Sequence, residues 1–420
     1  VTNERVRALT PAPPRPGARY VLYQASRNRR VDANEALAHA AAWANQLRLP
    51  LLYHETFDEP NPRRRAFIRA GVEETARRLA GLGVGYRFGG DVETAEAAVV
   101  VIDDYPYGVQ APDPTVLCEA VDASCVVPMR RFDKREYAAY TIRPKIRRVL
   151  DQFLKPYPAL SVDVRWTAPL PPVAGGPPPG GRLEAEKRLE HFLENNLRRY
   201  ARERNDPTAR ATSGLSPYLH FGQISAREVA LAARTHAEEH HLIADEFLEE
   251  LIVRRELSFN FACHASGPDW YDALPDWARK TLDAHASDPR EYVYSLDEFD
   301  AARTHDQLWN ACQRELRLKG VIHGYYRMYW GKKVLEWSAN AREAVRVMVE
   351  LHHRWALDGG DPNTYVGILW TLGLHDRPWA ERPVFGMIRY MSLDGMRRKT
   401  GVDAYIRAIG ELEAQPCLWQ

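Results

Sequence analysis

The sequence predicts an α/β domain built on a doubly wound parallel sheet, followed by an all-α domain. Three observations carry that expectation. Between Arg19 and about residue 165, short apolar segments alternate with helical ones, and Ala98-Val-Val-Val-Ile102 is a continuous apolar run of the kind buried on both faces of a parallel sheet. A stretch at 166–182 holds Pro169-Leu-Pro-Pro172 and Gly175-Gly-Pro-Pro-Pro-Gly-Gly181, which suits neither helix nor central strand. Beyond it the periodic segments repeat at helical spacing. The expected domains are a disordered tail at 1–18, an α/β domain at 19–165, a linker at 166–182 and a helical domain at 183–420.

The elements follow in order. Residues 1–18 are charged and Pro-rich, so they read as the tail. Strands are expected at 20–23, 50–53, 98–102 and 125–128. Helices are expected at 34–47, 63–82, 115–121 and, with a basic face, 134–153. Gly81-Leu-Gly-Val-Gly85 precedes a strand and opens no helix, so it reads as a helix cap and turn rather than a phosphate loop. After the linker, helices are expected at 183–200, 226–241, 245–260, 274–285, 304–319, 324–338 and 340–355, with no strand.

Composition narrows the function classes. Lys+Arg of 57 against Asp+Glu of 56 leaves a net charge of +1, which excludes bulk polyanion binding but not a local basic face. Five scattered cysteines without a C-x-x-C pair argue against a disulfide framework or a zinc site, and point to a reducing, cytoplasmic setting. No apolar run reaches membrane-span length and no secretory leader is evident, so no membrane partner is expected.

Gly320-Val-Ile-His-Gly-Tyr-Tyr-Arg-Met-Tyr-Trp-Gly-Lys-Lys-Val-Leu-Glu-Trp337 stands out. Trp330 and Trp337 are two helical turns apart, roughly 10 Å along the axis, and Arg327 shares their face. A plain aromatic core with a snorkelling Arg is an equal reading of that spacing. Thr212-Ser-Gly-Leu-Ser216 precedes a helix and would suit a phosphate, although an ordinary N-cap explains the residues as well. Glu250 and Arg254 are spaced as a surface ion pair, with an inward carboxylate as the functional alternative. His236 and His240 lack the H-E-x-x-H pattern and read as a solvated face. Asp358-Gly-Gly-Asp-Pro-Asn363 is turn chemistry, and an Asp there could pair with Arg327. Basic clusters at 63–65, 143–148, 332–333 and 397–399 read as solvated faces, with nucleic-acid phosphate as the alternative ligand.

Taken together, these segments resemble the photolyase/cryptochrome family, most closely its class II cyclobutane pyrimidine dimer photolyases. The resemblance rests on Lys134-Arg-Glu-Tyr, Thr141-Ile-Arg-Pro-Lys145, residues 215–223 and 247–261, and Tyr271-Asp-Ala-Leu-Pro-Asp-Trp-Ala-Arg-Lys280. It continues through Thr304-His-Asp-Gln-Leu-Trp-Asn310, residues 323–337 and Pro383-Val-Phe-Gly386 to Arg389-Tyr-Met391. It implies a Rossmann-like first domain and a helical domain holding non-covalent FAD folded into a U. Tyr200, Thr212, Ser213, Gly214, Leu215 and Ser216 match residues that hold its pyrophosphate and ribitol. Arg327 and Asp358 match the salt bridge beside the flavin ring, and Phe247, Arg254, Asn310, Gly359 and Asn363 match other cofactor contacts. Trp330, Trp309 and Trp337 match a chain that carries an electron to the photoexcited flavin, with Trp330 innermost. Glu250 matches the acid that hydrogen-bonds the dimer's base, and Met328 and Trp370 match contacts to the flipped-out pyrimidines.

The implied activity is light-driven repair of UV-damaged DNA by electron transfer from reduced FAD; with no heptad seam in the sequence, a monomer is expected. A family photoreceptor with little repair activity is the alternative, and a non-flavin nucleotide-binding or structural protein a third. The chain also departs from the class pattern. His352 stands where the class has Asn facing flavin N5, and a histidine ordinarily titrates near neutrality. Gly360 replaces Arg, Thr364 replaces Gly, and Trp370-Thr-Leu-Gly-Leu-His375 is one residue shorter. Asp122-Ala-Ser-Cys125 replaces Asp-Ala-His-Asn in the first domain, so the presence and identity of an antenna chromophore stay open.

Overall fold

The computed structural model describes residues 2–177, 179–265 and 270–414. They form two compact units: Val1–Arg135, Arg143–Asn195 and Ser213–Cys263 make the first, and Glu136–Ile142, Asn196–Thr212 and His264–Gln420 the second.

The first unit holds a six-stranded sheet of β1 (Val6–Thr10), β2 (Tyr20–Ala25), β3 (Leu51–Glu55), β4 (Gly85–Phe88), β5 (Ala97–Asp103) and β6 (Leu117–Val121), in the order β1-β6-β5-β2-β3-β4. Only the β1–β6 pair is antiparallel. All of β5 is buried, as its apolar run predicts. Asn34 caps α1 (Glu35–Leu47) by accepting from the N–H groups of Ala36 and Leu37. Ala36, Leu37, Ala40, Ala41 and Ala44 then lay a small-residue stripe against the sheet. The expected helix at 63–82 is two, α2 (Pro62–Arg69) and α3 (Val72–Leu82), and Gly83 ends α3 in the left-handed region, as a helix cap should. The chain continues through α4 (Ala139–Phe153), whose first turn belongs to the second unit.

The first unit also takes helices from beyond the linker: α5 (Arg182–Asn195), α7 (Ser216–His220), α8 (Ala226–Glu239), α9 (Asp245–Leu248), a π-helical turn at Glu249–Arg254 and α10 (Arg255–His264). The second unit holds α6 (Leu197–Glu203), α11 (Asp276–Ala284), α12 (Leu296–Asp300), α13 (Gln307–Lys319), α14 (Gly324–Trp337), α15 (Ala341–Trp355), α16 (Pro362–Trp370), α17 (Leu393–Lys399) and α18 (Val402–Glu413). Among the described residues past the linker there is no strand, only an Arg382–Gly386 bridge. The fold class is therefore the expected one.

Several boundaries are not. Residues 6–10 are no disordered tail but strand β1, and the preceding Arg5 is buried with its guanidinium donating to the carbonyls of Asp122 (3.1 Å) and Cys125 (2.9 Å). A charged residue satisfied by backbone carbonyls is indistinguishable in sequence from a solvated one. The expected helix at 115–121 is strand β6, because pairing on both edges, with β5 and β1, outweighs local propensity. The expected strand at 125–128 joins no ladder: the N–H groups of Val126 and Val127 donate to the Glu256 carboxylate at 2.6 and 3.1 Å. The units also part elsewhere than at the linker. Within the first unit, Arg30 donates to the Gly222 carbonyl (3.1 Å) and the Gly181 N–H to Gln223 (2.9 Å), so the segment from Ser213 to Cys263 folds with the sheet.

Candidate active site

Helix α14 is capped by His323 and buries residues on nearly every side, the mark of a central helix. The indoles of Trp330 and Trp337 are both buried, but no ring contact joins them directly. Trp309, from α13, stands between. Its ring stacks on Trp330 at 6.0 Å with planes 8° apart, and meets Trp337 edge-on at 6.2 Å. Hydrogen bonds fix the array: Trp309 Nε1 donates to the Trp330 carbonyl and Trp330 Nε1 to Gln313 Oε1, each at 3.0 Å. Asp306 caps α13 by accepting from the Trp309 N–H (2.9 Å) and also accepts from the Tyr329 hydroxyl. Trp337 in turn edges a cavity of about 720 Å³ with His305, Lys333 and Tyr390.

The turn after α15 brings Asp358 within 3.7 Å of Arg327, the pairing expected from sequence. Thr364 ties that turn to α16 by donating to the Asp358 carbonyl (2.7 Å), and Gly360 holds φ +91°, where a residue without Cβ is unstrained. Asn363 donates to the Asp361 carboxylate from both its amide and its backbone. Gly359 lies in the same turn. The Asn310 amide is engaged by Thr304, donating to its carbonyl (2.8 Å) and accepting from its N–H (3.0 Å).

His352 lies at the inner end of this arrangement, 1% exposed, with its ring edge-on to Trp330 at 5.2 Å. Its Nδ1 lies 2.8 Å from the Met348 carbonyl, which can only accept, so Nδ1 carries the proton. Burial, and then the Arg327 guanidinium, push its pKa down to about 4. The near-neutral titration expected of a histidine is therefore corrected: His352 is neutral at pH 7, with a bare lone pair on Nε2.

Of the remaining residues in the second unit, Tyr200 is buried with the Arg204 guanidinium 5.9 Å from its ring centre, and Thr212 is exposed. Met328 and Trp370 are half-buried, Trp370 closing α16.

In the first unit, residues 213–216 form a turn with Gly214 at φ +65° and the Arg188 guanidinium against it. Leu215, not a hydroxyl residue, is the N-cap of α7, and no side chain caps that helix. Ser213 Oγ accepts from the Leu215 N–H at 3.4 Å just before the helix, and α7, at five residues, is too short to carry a long helix dipole. Phe247 is buried against Phe192, with ring centres 4.5 Å apart.

The expected Glu250–Arg254 pair is not made. The turn at Glu249–Arg254 is π-helical, so the residue facing Arg254 is Glu249, at 3.7 Å. Glu249 is held bidentately by Arg143 at 2.9 and 2.6 Å. Glu250 is half-buried, and single π turns are frequent at functional sites.

The His236 and His240 rings lie 4.2 Å apart with planes tilted by 38°, and no cluster of three metal-ligating side chains occurs among the described residues. Cys118, Cys125, Cys263 and Cys312 are free thiols, while Cys417 lies outside the described residues. No helix among the described residues is long and apolar enough to cross a membrane. Asp122-Ala-Ser-Cys125 is a buried turn in which the Asp122 carboxylate accepts from the N–H groups of Ser124, Cys125 and Met129.

Sequence reasoning missed Gln313, Asp306 and Arg188. Gln313 was within reach, since it lies one turn beyond Trp309 on the same face.

The residues suit the expected FAD. His352 Nε2, Arg327 Nε and Gln313 Nε2 are buried in the second unit with no protein hydrogen-bond partner, and buried polar atoms of that kind call for a ligand or water.

The chain belongs to the photolyase/cryptochrome family. It is 37% identical to the deoxyribodipyrimidine photo-lyase of Methanothermobacter thermautotrophicus, over 97% of this chain and 98% of that one. It is likewise 37% identical to the rice deoxyribodipyrimidine photo-lyase (Oryza sativa subsp. japonica), over 98% and 91%. The match to Arabidopsis thaliana cryptochrome-2, at 38% identity, covers 35% of this chain and 24% of that one. Among solved structures, the Agrobacterium tumefaciens class III photolyase superposes with a TM-score of 0.67 at 17% identity, covering 93% and 86% of the two chains. The Synechocystis cryptochrome gives 0.71 at 16%, covering 95% and 90%. No family model matches.

Proposed function

We propose that this chain is a deoxyribodipyrimidine photo-lyase, which uses light and non-covalent FAD to split cyclobutane pyrimidine dimers in DNA. The observation that carries this reading is the match to enzymes of that name along nearly the whole chain, where the cryptochrome match covers a third of it. Reduced FAD would supply, on excitation, the electron that opens the cyclobutane ring.

The chain's own residues do the rest. Tyr200 and Thr212 to Ser216 hold the phosphates and ribitol, with Arg188 adding charge. The Arg327–Asp358 pair would supply opposite charges to the flavin, and His352 would offer it a lone pair. Phe247, Arg254, Gly359 and Asn363 line the cofactor. Asn310 acts indirectly, by bracing the start of α13 through Thr304. Glu250 hydrogen-bonds a base of the dimer, and Met328 and Trp370 contact the pyrimidines once they have left the stack. Trp337, Trp309 and Trp330, in that order from the cavity inward, return electrons to oxidised cofactor. The protein works as a monomer in the cytoplasm, with or without an antenna chromophore.

The test is illumination of the reduced holoprotein with dimer-containing DNA while thymine absorbance is followed. Absorbance should recover. Full photoreduction with no recovery would replace this reading by that of a photoreceptor. A colourless protein that takes up no FAD would overturn both.

A further inference from the structure

Lys332 has no place in the machinery above, yet it is a conspicuous side chain of the second unit. It lies two residues past Trp330 on α14 and is 1% exposed. Its ammonium donates to the Thr371 carbonyl at 2.6 Å. Thr371 is the C-cap of α16, the residue after Trp370, and its carbonyl stands at the negative end of that helix. A cation there stabilises the helix terminus as an exposed C-terminal Lys does, but without water.

The two backbones meet closely at this point. A Cβ on Gly331 would fall 2.6 Å from Thr371 Cγ2 and 3.1 Å from Met348 Sδ, so α14 can approach the end of α16 only because residue 331 is glycine. The turn that follows is folded back on α16: Leu372 and Leu374 N–H groups both donate to the Leu369 carbonyl, and the Gly373 N–H to that of Trp370. Lys332 therefore grips the one-residue-shorter segment that carries Trp370, from the helix that carries Met328 and Trp330.

We propose that Lys332 is a positioning residue for substrate: it holds the Trp370 turn in register with α14 and thereby sets the preference for dimer-containing over undamaged DNA. This rests on the repair reading.

The grip is sensitive to pH. Burial lowers the Lys332 pKa to about 7, with Asp376 acting to raise it and Arg389 to lower it; these are the charged groups whose fields reach it. The ammonium charge facing the Thr371 carbonyl is present below that value and lost as pH rises through it, leaving a neutral amine that donates a weaker hydrogen bond. Dimer preference should weaken over the same range.

The experiment measures affinity of the holoprotein for matched DNA duplexes with and without one thymine dimer, from pH 6 to pH 8.5. In the wild type, dimer preference should fall by about tenfold with rising pH, the worth of one charge-assisted hydrogen bond. Lys332→Met keeps the apolar stem and removes the donor. It should show the low preference at every pH, with affinity for undamaged DNA unchanged. Combined with Trp370→Phe, its effect should be less than additive, because Lys332 acts through Trp370. Wild-type preference that is flat with pH, a Lys332→Met variant that keeps the wild-type profile, or strict additivity would each overturn the proposal. A Lys332→Met protein that fails to fold leaves the wild-type profile as the deciding measurement. No dimer preference in the wild type at any pH would instead count against the repair reading itself.

Discussion

Trp330→Phe should all but abolish photoreduction of oxidised FAD while leaving the cofactor bound. Phenylalanine is much harder to oxidise than tryptophan. A penalty of only about 3 kcal/mol in one hop would already slow it about a hundredfold. The structure adds which neighbour should matter as much. Trp309 is the ring that touches both others, stacked on Trp330 at 6.0 Å and meeting Trp337 at 6.2 Å. Trp309→Phe should therefore match Trp330→Phe, although the two residues of the helical stripe are Trp330 and Trp337. Trp330→Phe also strands the Gln313 amide, which loses the indole N–H, at a stability cost of about 1–3 kcal/mol. Flavin absorbance at 450 nm under blue light with an external donor reads the rate, and retained absorbance in the dark shows that the site survives. Photoreduction at the wild-type rate in Trp330→Phe would remove the stack from the route.

The second large effect concerns His352. With Nδ1 donating to Met348 and Nε2 bare, this residue can only accept a hydrogen bond from what it faces. An asparagine amide could donate or accept. His352→Asn should keep FAD bound and change the spacing of its two one-electron potentials by about tenfold in equilibrium constant, the worth of one hydrogen bond. Identical redox titrations would separate His352 from the ring. The lowered pKa also gives a sign for stability. Between its ordinary value near 6.5 and about 4, the unfolded chain takes up a proton that the folded one refuses, so this contribution is lost as pH falls through that window. His352→Leu should remove that part of the acid sensitivity in urea melts. An unchanged pH slope would mean that the imidazole is not held neutral.

Much of the fold was legible because it depends on local pattern. The all-buried run of β5, the capping Asn34 and the alanine stripe of α1 are each written in adjacent residues. What was misread depends on partners distant in sequence. Residues 117–121 become strand only because β5 and β1 lie on either side, and Val126 and Val127 stay out of the sheet because a carboxylate 130 residues away takes their N–H groups. The site divides in the same way. Helical spacing put Arg327, Trp330 and Trp337 on one stripe, and the family resemblance paired Asp358 with Arg327. The bridging place of Trp309, the tautomer of His352 and the burial of Lys332 are settled by packing, which no spacing rule encodes.

Between α9 and α10 the segment Glu249–Arg254 is wound as a π-helix. It amounts to a single extra residue in an otherwise regular helix, and an α-helix advances about 100° per residue. Deleting one residue from Leu251 to Val253 should let the segment relax into a continuous α-helix and swing Glu250 by about that angle relative to α10. The far-ultraviolet dichroism would hardly change and the protein would still be coloured, yet repair would fail. The turn thus works as a vernier: its extra residue sets the bearing of Glu250, the residue proposed to meet the lesion.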